Sequence, residues 1–481
     1  MLRTCKEVSQ TDQEGFDLAE KALKMSSHGK VVYASATYRS SRTLQMIFRN
    51  GSLSVISPDL DYGVAVTVVT GSGKGFSSTN TLNTAGVRRA VSRAISMARS
   101  CSTAVPSPLS GKAEKDEWRT EEKIPLNSLD ERQKIDMVST IDRAVASATD
   151  LRTFRQIFLT ERLDTKYYTD SEGTRIIAYD PKLVIHYFIR AVKGADSEQV
   201  HRTMGFSGGY EAFEKLQVEK QAVDDTRALK KMLENGRTAK RERLDVVCGS
   251  EVTGIACHES CGHPMEADRI MGREASQAGK SFVDIKSIGE RIGSEMVTIV
   301  DDPTIPGSYG YYQYDDEGIR ARRRVLYRNG QINEFLQNRE SGSKSGFGSN
   351  GAGRAASYDM EPLVRMANTF LLPGEFDDSE IIGDVRKGIL INGFTEWNID
   401  DRRFNQKYVG REAYLIENGE LTVPVRSPTL EITTRGFWSS VDAVGKDVRF
   451  FGGSCGKGDP MQGMAVDMGG PMIRLRNIVI K

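Results

Sequence analysis

The chain's 481 residues are 38% hydrophobic and 27% charged, a mixture that excludes disordered and fibrous classes and leaves room for two or three domains, each with its own core. Lys plus Arg number 66 and Asp plus Glu 65, without the basic excess that collects phosphate backbones, so no nucleic-acid partner is expected. No apolar run is long enough for a membrane helix, the first residues lack the apolar core of a secretory signal, and the six unevenly spread cysteines do not form a disulfide framework, so a cytoplasmic protein with reduced thiols and no membrane partner is expected.

Taken in chain order, residues 12–26 read as an amphipathic helix with Thr11 or Asp12 as its cap. Residues 43–56 alternate around Asn50-Gly51, a hairpin signal, and 61–69 read as the next strand, followed by a helix over 87–99. The stretch 102–128, mixing Pro, Ser, Lys and Glu, reads as a connection between subdomains. A helix over 130–148, an antiparallel meander over 153–188 and a polar helix over 218–237 complete the first half. The Lys/Arg-rich stretch 230–243 is interleaved with Leu and Glu and reads as a solvated helix face.

From Leu244 onward strand and loop prevail, with hairpin signals at Asn329-Gly330 and Asn418-Gly419 and helical pattern only over 250–263 and 378–387. The predicted class is α+β: an N-terminal mixed α/β domain with antiparallel sheets and flanking helices, then a β-rich C-terminal domain carrying one motif helix. The expected divisions are 1–105, 106–240 and 241–481.

Only five histidines occur, and two of them stand in His258-Glu259-Ser260-Cys261-Gly262-His263, after an apolar run and a helix start at Ser250. Two neutral nitrogen donors and an adjacent carboxylate are what a hydrolytic zinc site needs. The spacing is one residue longer than in a motif whose histidines share a helix face; five α-helical residues rotate by ~500°, leaving the side chains ~140° apart. Convergence therefore requires a π-type widening or an unwound turn, for which Gly262 and Pro264 supply the means. Otherwise His258 is a core histidine and His263 a helix-terminal cation.

The run His258 to Asp268, with Glu266 and Asp268 in order, resembles the signature of the TldD/PmbA family. Further matches are Asp315-Asp316-Glu317-Gly318, Gly353-Arg354, Arg365 to Phe370 with Pro373-Gly374, Glu412 to Gly419, and Cys455-Gly456-Lys457. The chain departs from the family pattern at Pro264 and in the loop Gly458 to Gln462. The resemblance implies a zinc peptidase whose metal takes His258, His263 and Cys455, the thiolate supported by nearby Lys457, with Glu259 as general base. Glu266 and Asp268 are nearer carboxylate rivals for the third ligand, read instead as partners orienting an imidazole. Cys257 and Cys261 read as buried packing thiols. Arg354, Arg365 and Asn368 fall in matching motifs and are candidates to hold a peptide or an oxyanion, or else ordinary salt bridges and turn bonds. The expected activity is hydrolysis of short or unfolded polypeptides, bound as an added strand, by a dimer formed with a second copy or with a motif-lacking paralogue. The alternatives are a non-catalytic zinc protein of modulator type and a hydrolase of non-peptide amides.

Overall fold

Strands of unusual length dominate the first half of the chain in the computed structural model, which describes residues 9–27, 30–101, 113–274 and 279–481. β1 (Val31–Arg49) and β2 (Ser52–Thr70) are joined at Asn50-Gly51, whose φ angles of 48° and 83° supply the two left-handed residues that a tight hairpin turn needs. The predicted strand over 61–69 is the second half of β2. Pro58 does not interrupt it, because β3 (Lys74–Thr79) pairs only with Val64–Val69 and leaves Pro58 on an uncovered edge.

β4 (Lys115–Arg119), β5 (Arg152–Asp170), β6 (Arg175–Lys193) and β7 (Asp196–Ser207) complete a seven-stranded sheet in the order β3-β2-β1-β5-β6, with β4 and β7 along the outer edge of β6. Only β4 runs parallel to its neighbour. β1 pairs with β5 from Ser35↔Asp170 to Arg49↔Gln156, so the segments 1–105 and 106–240 share one sheet. Of the predicted connection, residues 102–112 lie outside the described residues and β4 occupies part of the remainder.

Four helices cover one face of this sheet. Gln10–Ser26, capped by Ser9, and Thr84–Ser100, capped by Asn83, bury Phe16, Leu23 and Val91 against β1 and β2. Glu131–Ser147, opened by an Asp130–Gln133 capping box, and Val218–Asn235 bury Ile141 and Leu229 against β5 to β7. The opposite face is polar and meets the second half of the chain: Lys166 pairs with Asp316 at 2.9 Å, and Arg39 donates to the Ala355 carbonyl at 2.6 Å.

That second half sandwiches a motif helix, Ser250–Cys257, between two sheets. The ten-stranded sheet has Glu242–Cys248 near its middle, antiparallel to Ile473–Ile480 and parallel to Lys387–Ile391, and ends on Phe394–Ile399. The six-stranded sheet ends on Arg449–Lys457, paired with Gln462–Gly470. Both predicted Asn-Gly turns form, with positive φ at each residue. The helix expected over 378–387 is shorter, Asp378–Gly383, because Lys387 already opens a strand. The helices Arg339–Ser345 and Thr434–Ser439 were not predicted; neither reaches two full turns, too short for an apolar period to register. The architecture is α+β. Among the described residues no helix is long and apolar enough to cross a membrane.

Candidate metal centre

The motif helix changes pitch where the histidine spacing requires it. Ser250–Cys257 is α-helical, His258–Gly262 forms a π turn, and His263–Met265 a 3₁₀ turn. The His263 N–H bonds to the His258 carbonyl, so residues five apart stand one above the other. Their rings lie 4.8 Å apart between centroids, at 81°. Trp438 Nε1 donates to Ser260 Oγ at 2.9 Å and Tyr327 Oη to the Ser260 carbonyl at 3.2 Å, which fixes the widened turn from outside. Gly262 has φ −55°, so the turn needs it for space and not for dihedral freedom: a Cβ there would stand 1.9 Å from Met366 Sδ.

Cys455 enters from the edge strand Arg449–Lys457, its Sγ 3.5 Å from His263 Nε2. One donor atom from each of His258, His263 and Cys455 lies within 4.8 Å of the others, and all three residues are buried. Burial pushes both imidazoles below their ordinary pKa and so keeps them neutral, the form that binds metal. Burial alone would raise the Cys455 thiol, but His263 and Arg365 outweigh it and bring it down to about 7. His258 Nδ1 is buried without a hydrogen-bond partner, and His263 Nδ1 is held at 2.9 Å by Glu266 Oε2. Two neutral nitrogens, an acidified thiol and a buried unpartnered ring nitrogen fit a divalent ion of zinc's softness, with a fourth position left over.

Lys457, two residues beyond Cys455, does not support the thiolate. Its fully buried ammonium lies 2.7 Å from Asp268, 3.4 Å from Glu266 and 3.6 Å from Glu274. Glu266 also accepts from Arg269 Nε at 3.1 Å; burial alone would raise its carboxyl, but Lys457 first, then His263 and Arg269, outweigh it and hold it well below the ordinary range. Glu266 thus fixes His263 while Asp268 ties Lys457 to the Val364 N–H. Cys257 and Cys261 are fully buried, their thiols pushed up by burial.

Glu259 shares the turn but is not among the three clustered donors. Burial raises its pKa although His258 and Arg403 oppose the shift, and Arg403 Nη1 donates to its Oε2 at 2.5 Å. Both residues line a cleft of about 330 Å³ with the three donors, His201 and Thr203 of β7, Trp397 and Phe451. The cleft runs into a groove of about 1200 Å³, the two sharing Arg202, Glu251 and Gly452. Three sheet edges meet there: β7, Phe394–Ile399 and Arg449–Lys457. Neither Arg403 nor His201 stood out in the sequence, since one sits in a polar turn and the other in an alternating strand.

Arg354, Arg365 and Asn368 do not line this cleft. Arg354 donates to the Met366 and Ala465 carbonyls at 2.6 and 3.0 Å, Arg365 to those of Gln462 and Cys455, and Asn368 to that of Asp302 at 2.6 Å. Their donors satisfy buried carbonyls, and Arg365 braces the strand that carries Cys455.

An open three-donor centre beside an unligated carboxylate, at the junction of sheet edges, is the equipment of a metal-dependent hydrolase. The PmbA/TldA metallopeptidase C-terminal domain matches residues 241–481, and domain 1 of the same family matches residues 34–98. A Methanothermobacter thermautotrophicus metalloprotease is 30% identical over 95% of this chain and 97% of its own. A TldD homologue of Haemophilus influenzae, also a metalloprotease, is 26% identical over 94% of both chains, and a Saccharolobus solfataricus relative described as a zinc metalloprotease is 28% identical over 66% of this chain and 68% of its own. Among solved structures, a Thermotoga maritima protein described as a modulator of a DNA gyrase shares the fold with a TM-score of 0.79 at 16% identity, covering 97% of this chain and 99% of that one. TldE from Thermococcus kodakarensis gives 0.72 at 18% identity, over 96% and 99%. The chain belongs to the PmbA/TldD metallopeptidase family.

Proposed function

We propose that this chain is a zinc-dependent peptidase that hydrolyses short or unfolded polypeptides. The observation that carries the reading is the convergence of His258, His263 and Cys455 beside a carboxylate that no cluster of donors uses. Bound by these three side chains, zinc would acidify a water molecule and polarise the scissile carbonyl. Glu259 accepts the water's proton; its raised pKa makes it a stronger base than an exposed carboxylate, and it returns the proton to the departing nitrogen. Glu266 holds His263 in one tautomer through Nδ1, which leaves Nε2 for the metal.

An extended peptide pairs with a free sheet edge at the cleft, so recognition rests on backbone groups and tolerates many sequences. A purely structural zinc site would be closed by four protein donors, whereas three are gathered among the described residues, so the modulator-type role ranks second. For assembly we propose a dimer, with a second copy or with a motif-lacking paralogue, to be read by light scattering.

The decisive test is Glu259→Gln. Metal content should be unchanged while cleavage of an unfolded polypeptide falls at least roughly 100-fold, the contribution of a general base. Undiminished cleavage by that variant overturns the reading.

A further inference from the structure

Amide hydrolysis moves one negative charge, from the carboxylate that takes the water's proton to the carbonyl oxygen that becomes an oxyanion. A group that serves the second must stand beside the first with a donor to spare. Arg403 meets both conditions: it lines the cleft with the three donors, its Nη1 is 2.5 Å from Glu259 Oε2 with the side chains 11% and 4% exposed, and that bond takes only one of the five N–H donors of a guanidinium. The other guanidinium of the cleft, Arg202, is spent on Asp225 at 2.7 and 2.8 Å. His201 is exposed on β7, its ring 4.3 Å from that of His186.

The backbone supports the same assignment. Arg403 has φ 64°, a left-handed conformation that costs a residue with a Cβ and persists only where its surroundings impose it. Here they do. The Arg403 N–H bonds to the Asp400 carbonyl at 2.9 Å, Thr434 Oγ1 donates to the Arg403 carbonyl at 2.9 Å, and Asp400 Oδ1 accepts from the Phe404 N–H at 2.8 Å. The turn aims one guanidinium at the general base.

Resting on the peptidase reading, we infer that Arg403 is a catalytic residue that stabilises the oxyanion of the tetrahedral intermediate. The water oxygen bonds to the carbonyl carbon, its proton passes to Glu259, and the carbonyl π pair moves onto oxygen. Glu259 is then neutral, and the Arg403 charge beside it is balanced by the new oxyanion. As the oxyanion re-forms the carbonyl, the C–N pair leaves with nitrogen, which takes the proton from Glu259.

The test uses the zinc-loaded full chain and two probes, an internally quenched peptide and a phosphinic pseudopeptide that mimics the tetrahedral anion. Arg403→Ala should keep its zinc, lose about 100- to 1000-fold in kcat with KM moved less than about threefold, and bind the phosphinic probe more weakly by a comparable factor, all read below its lowered melting midpoint. Arg403→Lys should recover part of both losses. A kcat within about threefold of wild type, a loss confined to KM, or undiminished phosphinic binding each overturns the assignment, as does a His201→Gln variant that carries the loss instead. Cleavage that depends on Glu259 but not on Arg403 sinks only this inference. Cleavage indifferent to Glu259 sinks the peptidase reading, and the phosphinic affinity then decides Arg403 separately.

Discussion

Gly262→Ala probes how the centre is built. Inside a helix the change ordinarily stabilises by about 1 kcal/mol, because glycine is the weaker helix former, and the φ of −55° raises no objection. Space does. The added Cβ would stand 1.9 Å from Met366 Sδ, 3.1 Å from its Cγ and 3.3 Å from Thr369 Oγ1, whereas carbon contacts settle at about 3.5–4.0 Å, so a gap of about 2 Å must open. Met366 is fully buried, its backbone held by Arg365 on the Cys455 carbonyl and by the Ala367 N–H on Asp301 at 2.8 Å, so its thioether has no open space to swing into and the π turn shares the shift. Overpacking of this kind costs about 1–3 kcal/mol. The same shift moves His258 against His263 and should weaken zinc at least about tenfold, the scale of a disturbed ligand support. Urea unfolding of the metal-free chain and a zinc competition titration read the two effects, and Gly262→Ala with Met366→Ala should relieve both. Wild-type stability and zinc affinity in the single variant, or no relief in the double, would refute the argument.

Cys455→Ala should abolish zinc retention and the stabilisation of about 2.7 kcal/mol that zinc gives at a hundredfold excess over its Kd, while Cys257→Ala keeps its zinc and loses no more than about 1–2 kcal/mol of packing; if Glu266→Ala or Asp268→Ala strips the metal and Cys455→Ala does not, the third donor is a carboxylate. Lys457→Met removes the buried ammonium that Glu266, Asp268 and Glu274 share, leaving Glu266 with Arg269, and should cost about 3–5 kcal/mol in a urea titration of the metal-free chain; a variant as stable as wild type would show the ammonium dispensable. Burial, with His201 beside it, lowers His186 to about 4 in the folded chain against about 6.5 unfolded, so the neutral ring's contribution is complete above pH 6.5 and is lost as pH falls toward 4; the melting midpoint of His186→Phe should fall less steeply over that range, and equal slopes would exclude the effect.

What could be read in advance divides by range along the chain. The Asn-Gly turns act over two to four positions, and the structure forms the hairpins at all three predicted turns, whereas the first helix is capped by Ser9 and not by Thr11 or Asp12. The π turn was legible for the same reason: a five-residue spacing followed by Gly-His-Pro states its own problem within one helix, although the role of Gly262 is set by Met366, 104 positions on, and so was misread as backbone freedom. For Arg354, Arg365 and Asn368 the sequence left two roles open, a peptide or oxyanion contact and ordinary salt bridges and turn bonds. The structure spends their donors on buried carbonyls, Arg354 and Asn368 on those of the irregular Met366 and Asp302 and Arg365 on those of the paired strands that carry Gln462 and Cys455. The partners that complete the chemistry are remote from the motif, Cys455 by 192 positions from His263 and Arg403 by 144 from Glu259. A lone thiol or a charged turn carries no local mark of what it will meet. Only the family resemblance pointed to Cys455. In the structure Cys455 and Lys457 share the buried face of one strand, and nothing local tells which will reach the imidazole and which the carboxylates. The fold decides that by seating Lys457 against the Val364 carbonyl at 2.8 Å, next to Asp268, while Cys455, one pleat earlier, comes level with His263.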